Sequence, residues 1–155
     1  MRVFEQLTSF LDEHRVPYTV LSHPPAYSAD QVARAEHLPP HDLAKVVVVK
    51  TGQRVLMVVL PGTRKLDLHK VPERGARLAT EQELATLFPG CEVGAMPPFG
   101  NLFRLPVLVD RGLARDEEIV FQAGTHTRAI RMRCADFVRL VQPVIDDYAL
   151  VEREA

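Results

Sequence analysis

Lys45 opens the run Lys45-Val46-Val47-Val48-Val49-Lys50, a β-branched segment with a cation at each end. A lysine at the mouth of such a wall is half-buried, and burial disfavours its charged form unless an anion pairs with it. Held there as a cation, it can stabilise negative charge that develops on a reacting oxygen; the plainer role is a side chain snorkelling at a strand end. His126 lies between Thr125 and Thr127, where its imidazole can hydrogen-bond a ligand, order a water or simply tie down a turn. Gly94 and Gly100 bracket Pro97-Pro98-Phe99 in the stretch VGAMPPFGN. Glycine lets a ligand approach the backbone closely and leaves its N–H available, although the same residues also serve a tight loop for backbone reasons alone.

The familiar catalytic signatures are missing. The histidines are His14, His23, His37, His41, His69 and His126, and none sits in an HExxH motif. Cys91 and Cys134 are far apart and form no CxxC pair, so two free, semi-buried thiols are expected. There is no glycine-rich phosphate loop and no GxSxG elbow. Neither a metal site nor a cofactor is expected.

The chain has 155 residues, 46% of them hydrophobic and 25% charged, with no tryptophan. That is enough for one domain with a real core, expected to span residues 1–155. The longest apolar runs, Val46–Val49 and Val55–Pro61, fall far short of the roughly 20 residues that cross a bilayer. The opening MRVFEQLTSFLDEH carries acidic residues and no signal-peptide core, so a cytoplasmic protein is expected. The formal net charge of −1 argues against a strong stand-alone nucleic-acid binder. Charge is nonetheless uneven: Arg64, Lys65, Lys70, Arg74 and Arg77 face only Asp67 and Glu73 in the same stretch, and Arg128, Arg131 and Arg133 form a second basic group.

The elements that must position these residues follow from periodicity. Val3, Leu7, Phe10 and Leu11 predict an amphipathic helix over 2–14, stopped by Val16-Pro17. Residues 18–21 read as a strand ended by His23-Pro24-Pro25, and Ser28 with Gln31 as a capping box for a helix to about His37. Strands at 45–50 and 54–60 around Thr51-Gly52-Gln53 make a hairpin, apolar enough to be covered on both faces. Residues 65–72 suit a short helix or turn, and Thr80 with Glu83 caps a helix ended by Pro89-Gly90. A rigid loop at 93–101, strands near 105–109, 118–123 and 128–133, and a last helix over 135–147 complete the pattern. The class is α/β in the α+β sense: a mixed sheet or open barrel flanked by helices.

Three segments, in order, resemble the YbaK and prolyl-tRNA-synthetase-associated editing-domain family. They are Leu43-Ala44-Lys45 with its valine run, Gly94-Ala95-Met96-Pro97-Pro98-Phe99-Gly100, and Gly124-Thr125-His126-Thr127. The resemblance spans nearly the whole chain. It implies a barrel-like mixed sheet and an aminoacyl-tRNA deacylase that cleaves the ester of mischarged tRNA in trans without a metal. The implied partners are the tRNA acceptor end and an aminoacyl-tRNA synthetase. On the motif positions, Lys45, Gly94, Gly100 and His126 are the implied catalytic residues. Pro98, Phe99, Gly124, Thr125 and Thr127 fall to substrate binding, as do Tyr18, His23 and Tyr27, which roof the pocket in relatives. Arg64, Lys65 and Lys70 lie on the implied path of the tRNA. Members specific for cysteine lack this histidine and carry an aspartate about where Ala129 stands. The histidine-bearing version resembles the branches that clear alanine, serine or threonine. The alternative is a non-catalytic module of the same fold that binds tRNA or a synthetase.

Overall fold

The computed structural model describes residues 2–151. Helix α1 (Val3–Glu13) buries Val3, Leu7 and Leu11, one per turn, and strand β1 (Tyr18–Ser22) follows. Helix α2 (Ala29–Ala35) is capped by the Ser28 side chain, which accepts from the Gln31 amide. The Gln31 side-chain oxygen reaches back to the Tyr27 amide at 2.8 Å, so the expected box closes one residue wider. Strands β2 (Ala44–Lys50) and β3 (Val55–Pro61) form the expected hairpin, with Lys45 opposite Leu60 and Lys50 opposite Val55. After a 3-10 turn at Leu68–Lys70 come strand β4 (Arg77–Leu78) and helix α3 (Glu81–Leu87), the latter opened by a full capping box between Thr80 and Glu83. Strand β5 (Val107–Asp110), helix α4 (Arg111–Ala114), strands β6 (Glu118–Gln122) and β7 (Arg128–Arg133), helix α5 (Cys134–Val141) and strand β8 (Val144–Asp146) complete the order.

These strands make two sheets. The smaller is antiparallel, in the order β1-β7-β6; the larger runs β4-β2-β3-β5-β8, antiparallel through β3 and parallel beyond it. Leu43 forms a parallel bridge to Val120, the seam at which the sheets meet. From Leu56 onward β3 is buried along its length. Met57 and Val59 join the larger core with Phe99, Phe121 and Phe137, whereas Leu56, Val58 and Leu60 join a smaller core with Leu108 and Tyr148. The continuous apolar run is thus a period of two with both faces covered.

The last helix is shorter than the periodicity suggests. It stops at Val141; Gln142 takes a left-handed conformation (φ 51°, ψ 58°) ahead of Pro143. A proline can neither donate to a helix nor follow an α-helical residue easily. Val144, inside the expected helix 135–147, instead starts β8 alongside β5. Strand β4 and helix α4 are two short elements that the pattern did not reveal; each is too brief to carry a period.

Asp110 ties this region together. It is 4% exposed, and its Oδ2 accepts from the Gly112 amide at 3.0 Å to start α4. Its Oδ1 accepts from the Tyr148 and Ala149 amides at 2.9 and 3.1 Å. Asp110→Ala strands three amides, two of them buried, and is expected to lower unfolding free energy by about 3 kcal/mol in a urea titration.

Candidate active site

The β2–β3 hairpin meets the smaller sheet at a cavity of about 310 Å³. Lys45, Val46 and Leu43 enter its wall from the start of β2, and Gly62 from the end of the hairpin. Tyr27, Ser28 and Asp30 border it from the approach to α2. Gly94 and Met96 close it from the loop after α3, and Gln122 from the end of β6. The site lies at the seam, where Leu43 bridges Val120 and lining residues come from both sheets.

Lys45 is half-buried, and no carboxylate among the described residues pairs with it. Burial pushes its pKa below the usual lysine value, and the neighbouring Lys65 cation pushes it the same way. Gly94 has φ +88°, a conformation that side chains rarely adopt. No hydrogen bond among the described residues uses its amide. The cavity is thus lined by a half-buried lysine and by a glycine whose amide makes no hydrogen bond among the described residues, a pair suited to negative charge on a bound oxygen.

His126 stands behind this wall. It is 8% exposed, and its ring packs on Tyr27 with centroids 4.7 Å apart. Its Nε2 lies 2.9 Å from the Val93 carbonyl, which can only accept, so Nε2 donates. Its Nδ1 meets the Gln122 side-chain amide at 3.1 Å. With both nitrogens engaged, His126 fixes the 92–96 loop and Gln122 rather than offering a free base. The Glu92 carboxylate accepts from the His126 amide at 3.1 Å, and the Gly124 amide donates to the Ala95 carbonyl at 2.8 Å, so the loop is laced to the 124–126 turn.

Of the residues singled out in the sequence, Lys45, Gly94 and Tyr27 come together on the cavity wall, with His126 next to them. Gly100 does not. A Cβ there would lie 2.0 Å from the Leu105 carbonyl and 2.7 Å from Val107, so glycine is needed for packing. Pro98 and Phe99 are buried, with the Phe99 ring among Phe10, Phe121 and Phe137. Tyr18 donates to Asp12 at 2.9 Å on the α1 side. His23 is buried in the loop after β1; its Nδ1 contacts the Pro24 carbonyl, and its Nε2 has no hydrogen-bond partner among the described residues. Gly124 (φ +93°) lies against Val3, and the Thr125 and Thr127 hydroxyls face one another at 3.3 Å in the turn.

The basic stretch divides. Arg64 and Lys70 donate to the Leu150 and Ala149 carbonyls at 2.6 and 2.8 Å, so both hold the chain after β8. Lys65 is exposed and lies near Lys45. Sequence reasoning did not single out Asp30, Met96 or Gln122; Gln122 carried a signal, since it ends a strand four residues before His126.

Other chemistry is accounted for. Burial pushes the Cys91 thiol up to about 12 and Cys134 up to about 11, which suppresses the reactive thiolate. Among the described residues no group of three or more His, Cys, Asp or Glu is placed to hold a metal ion. His37 and His41 are four apart, but α2 ends at Ala35 before either, His37 takes a left-handed conformation (φ 56°), and His41 turns to Asp116 at 3.7 Å. Among the described residues no helix is long and apolar enough to cross a membrane.

The aminoacyl-tRNA editing domain family matches residues 23–140 of the chain. The chain is 27% identical over 154 residues to a multifunctional Ser/Thr-tRNA deacylase, ProXp-y, of Escherichia coli strain K12; the alignment covers 93% of this chain and 91% of that protein. A solved structure described as a candidate trans-editing enzyme for prolyl-tRNA synthetase superposes with a TM-score of 0.82 at 22% identity, covering 97% of this chain and 99% of the other. A hypothetical protein, APE2540, superposes with a TM-score of 0.84 at 19% identity over 94% of this chain and 99% of its own.

The geometry separates two glycines that the sequence treats alike. Gly100→Ala is expected to cost about 2 kcal/mol of stability through overpacking, read as an earlier denaturant midpoint. Ligand binding by the folded fraction should not change.

Proposed function

The chain belongs to the aminoacyl-tRNA editing domain family, and on that footing we propose that it is a deacylase that hydrolyses the ester of mischarged aminoacyl-tRNA in trans, with serine, threonine or alanine as the amino acid. One observation carries the reading. Lys45, a half-buried cation without a carboxylate partner among the described residues, lines a small cavity together with the unused amide of Gly94.

In this reading the terminal adenosine enters at the seam between the sheets, and the ester carbonyl lies between Lys45 and the Gly94 amide. Attack on the carbonyl places negative charge on its oxygen. A fixed cation and a fixed N–H stabilise that charge more than they stabilise the neutral ester, which lowers the barrier. Water supplies the attacking oxygen and its proton passes to the leaving ribose oxygen, so the amino acid is released as its free acid; the neighbouring ribose hydroxyl can orient that water by a hydrogen bond. His126 acts by holding Gln122 and the Gly94 loop in register. Met96, Val46 and Leu43 bound the cavity with apolar bulk, which favours a small amino-acid side chain. A relative named as a Ser/Thr-tRNA deacylase, matched along most of its length, supports serine and threonine as the amino acids removed. The family resemblance implies chemistry without a metal, and among the described residues no His, Cys, Asp or Glu group is placed to hold one, so we infer a metal-independent reaction.

A deacylation panel tests this. Purified protein is mixed with tRNA charged with serine, threonine, alanine, cysteine or proline. Release is expected from the first three and not from cysteinyl-tRNA, and a chelator should leave the rate unchanged. Lys45→Ala is expected to lower kcat/KM by about 100- to 1000-fold. If every ester is cleaved no faster than in buffer, the deacylase reading fails; an unimpaired Lys45→Ala enzyme would remove Lys45 from the chemistry.

The lowered Lys45 pKa adds a pH signature. The working form is the cation, so activity should fall as pH rises through that lowered pKa. The stability effect has the opposite sense. Protonated Lys45 disfavours the fold fully below its folded pKa, and the penalty fades as pH rises to the unfolded value. Lys45→Met should therefore be no less stable than wild type at neutral pH in thermal melts, despite its loss of activity.

A further inference from the structure

We propose that Asp30 is a specificity-determining residue: it pairs with the free α-ammonium of the aminoacyl ester, so that the site accepts unblocked esters and rejects N-acylated ones. This rests on the deacylase reading above and extends it to a feature of the substrate that the reading leaves open.

The argument begins with the charges on the cavity wall. Among its lining residues Lys45 is the sole cation and Asp30 the sole carboxylate. The two do not neutralise one another. No ion pair joins them, and the charge that acts on Lys45 is that of Lys65. The cavity therefore has a negative pole at the start of α2 and a positive pole at the start of β2.

An aminoacyl ester has matching polarity. Its α-ammonium lies one carbon from the ester carbonyl, and the carbonyl oxygen gains negative charge on attack. Lys45 attracts that oxygen and repels the ammonium; Asp30 does the reverse. Only one orientation satisfies both poles, and it sets the carbonyl against Lys45 and the Gly94 amide.

Asp30 is available for this role. Its one ion pair among the described residues is with Arg34 at 3.4 Å, and the two side chains are 61% and 82% exposed. An exposed i,i+4 pair contributes little and exchanges readily for a ligand cation. The carboxylate is not otherwise committed to the fold.

Acylation of the α-amine removes the cation and adds bulk at the negative pole. A site built this way hydrolyses aminoacyl-tRNA and spares peptidyl- and formylaminoacyl-tRNA, whose esters are chemically similar.

The test compares seryl-tRNA with N-acetylseryl-tRNA for the full chain and three variants. Wild type is expected to prefer the free amine by at least tenfold in kcat/KM. Asp30→Asn should lower kcat/KM for seryl-tRNA by about 5- to 20-fold, the scale of a lost hydrogen bond to a charged group at an exposed rim. It should leave the N-acetyl ester unchanged, so that the preference collapses. Asp30→Glu should restore part of the preference, and Arg34→Ala, which removes only the exposed pair, should retain it. Several results would overturn the proposal: equal wild-type rates on the two esters, equal losses on both esters in Asp30→Asn, or a collapse in Arg34→Ala as large as in Asp30→Asn. The first two leave the deacylase reading standing. A wild type that cleaves neither ester overturns both.

Discussion

Strand β3 is buried on both faces, and that constraint decides where polar chemistry can sit. Leu56 to Leu60 face one apolar core or the other in alternation. Nothing charged can be accommodated along that length without a desolvation cost of several kcal/mol. The flanking strands inherit the restriction, since β2 and β5 share both cores. Polar groups are driven to the strand ends. At one end the hairpin turn is exposed and its charges are paired; at the other, β2 starts beside the smaller sheet, and the cavity opens there. The location of the site follows from the burial of its central strand.

The two ends of the hairpin treat their cations differently. Near the turn, Lys50 and Arg77 share Glu83 at 2.6 and 2.8 Å, and Arg54 pairs with Glu73. The Glu83 carboxyl is held far below the usual carboxylate range by Arg77, Lys50 and its capping bond to Thr80. Near the seam, neither Lys45 nor Lys65 has a carboxylate partner among the described residues, and each sits in the other's field. That arrangement costs stability. A bound anion or developing oxyanion would relieve it, which ties the energetics of the fold to those of the reaction.

Much of this was legible in the sequence. The valine run with its bounding lysines gave the hairpin and Lys45, because a long β-branched run between turn residues has few other readings. The mixed α/β architecture followed from the order of helical and strand periods, and the family from three short motifs in order. The missed features are those whose cause is non-local. Strand β8 exists because Pro143 ends α5 and β5 offers a free edge, neither of which appears in a hydrophobic period. Gly94 and Gly100 look equivalent in one motif, yet one borders the cavity with a positive φ and the other is packed against Leu105. Asp30 and Gln122 sit about 90 residues apart, and only the meeting of two sheets puts both on one wall. His126 was visible as a candidate, but its engagement with Val93 and Gln122 depends on how the loop folds back.

The fate of the basic stretch bears on how such a site would meet its substrate. Arg64 and Lys70 are spent on the Leu150 and Ala149 carbonyls, and the tail they hold is fastened again by Asp110 and by the Lys65 carbonyl. The tail in turn anchors the segment that carries Lys65 beside Lys45. Cations that would otherwise attract phosphate anywhere along a nucleic acid therefore serve to position one of them near Lys45. Uniform phosphate attraction tightens substrate and transition state alike and adds nothing to the chemical step. On the deacylase reading, the same charge concentrated at the ester acts where the reaction changes it. Weak, salt-sensitive binding of tRNA and strong dependence on Lys45 are then two consequences of a single distribution of charge.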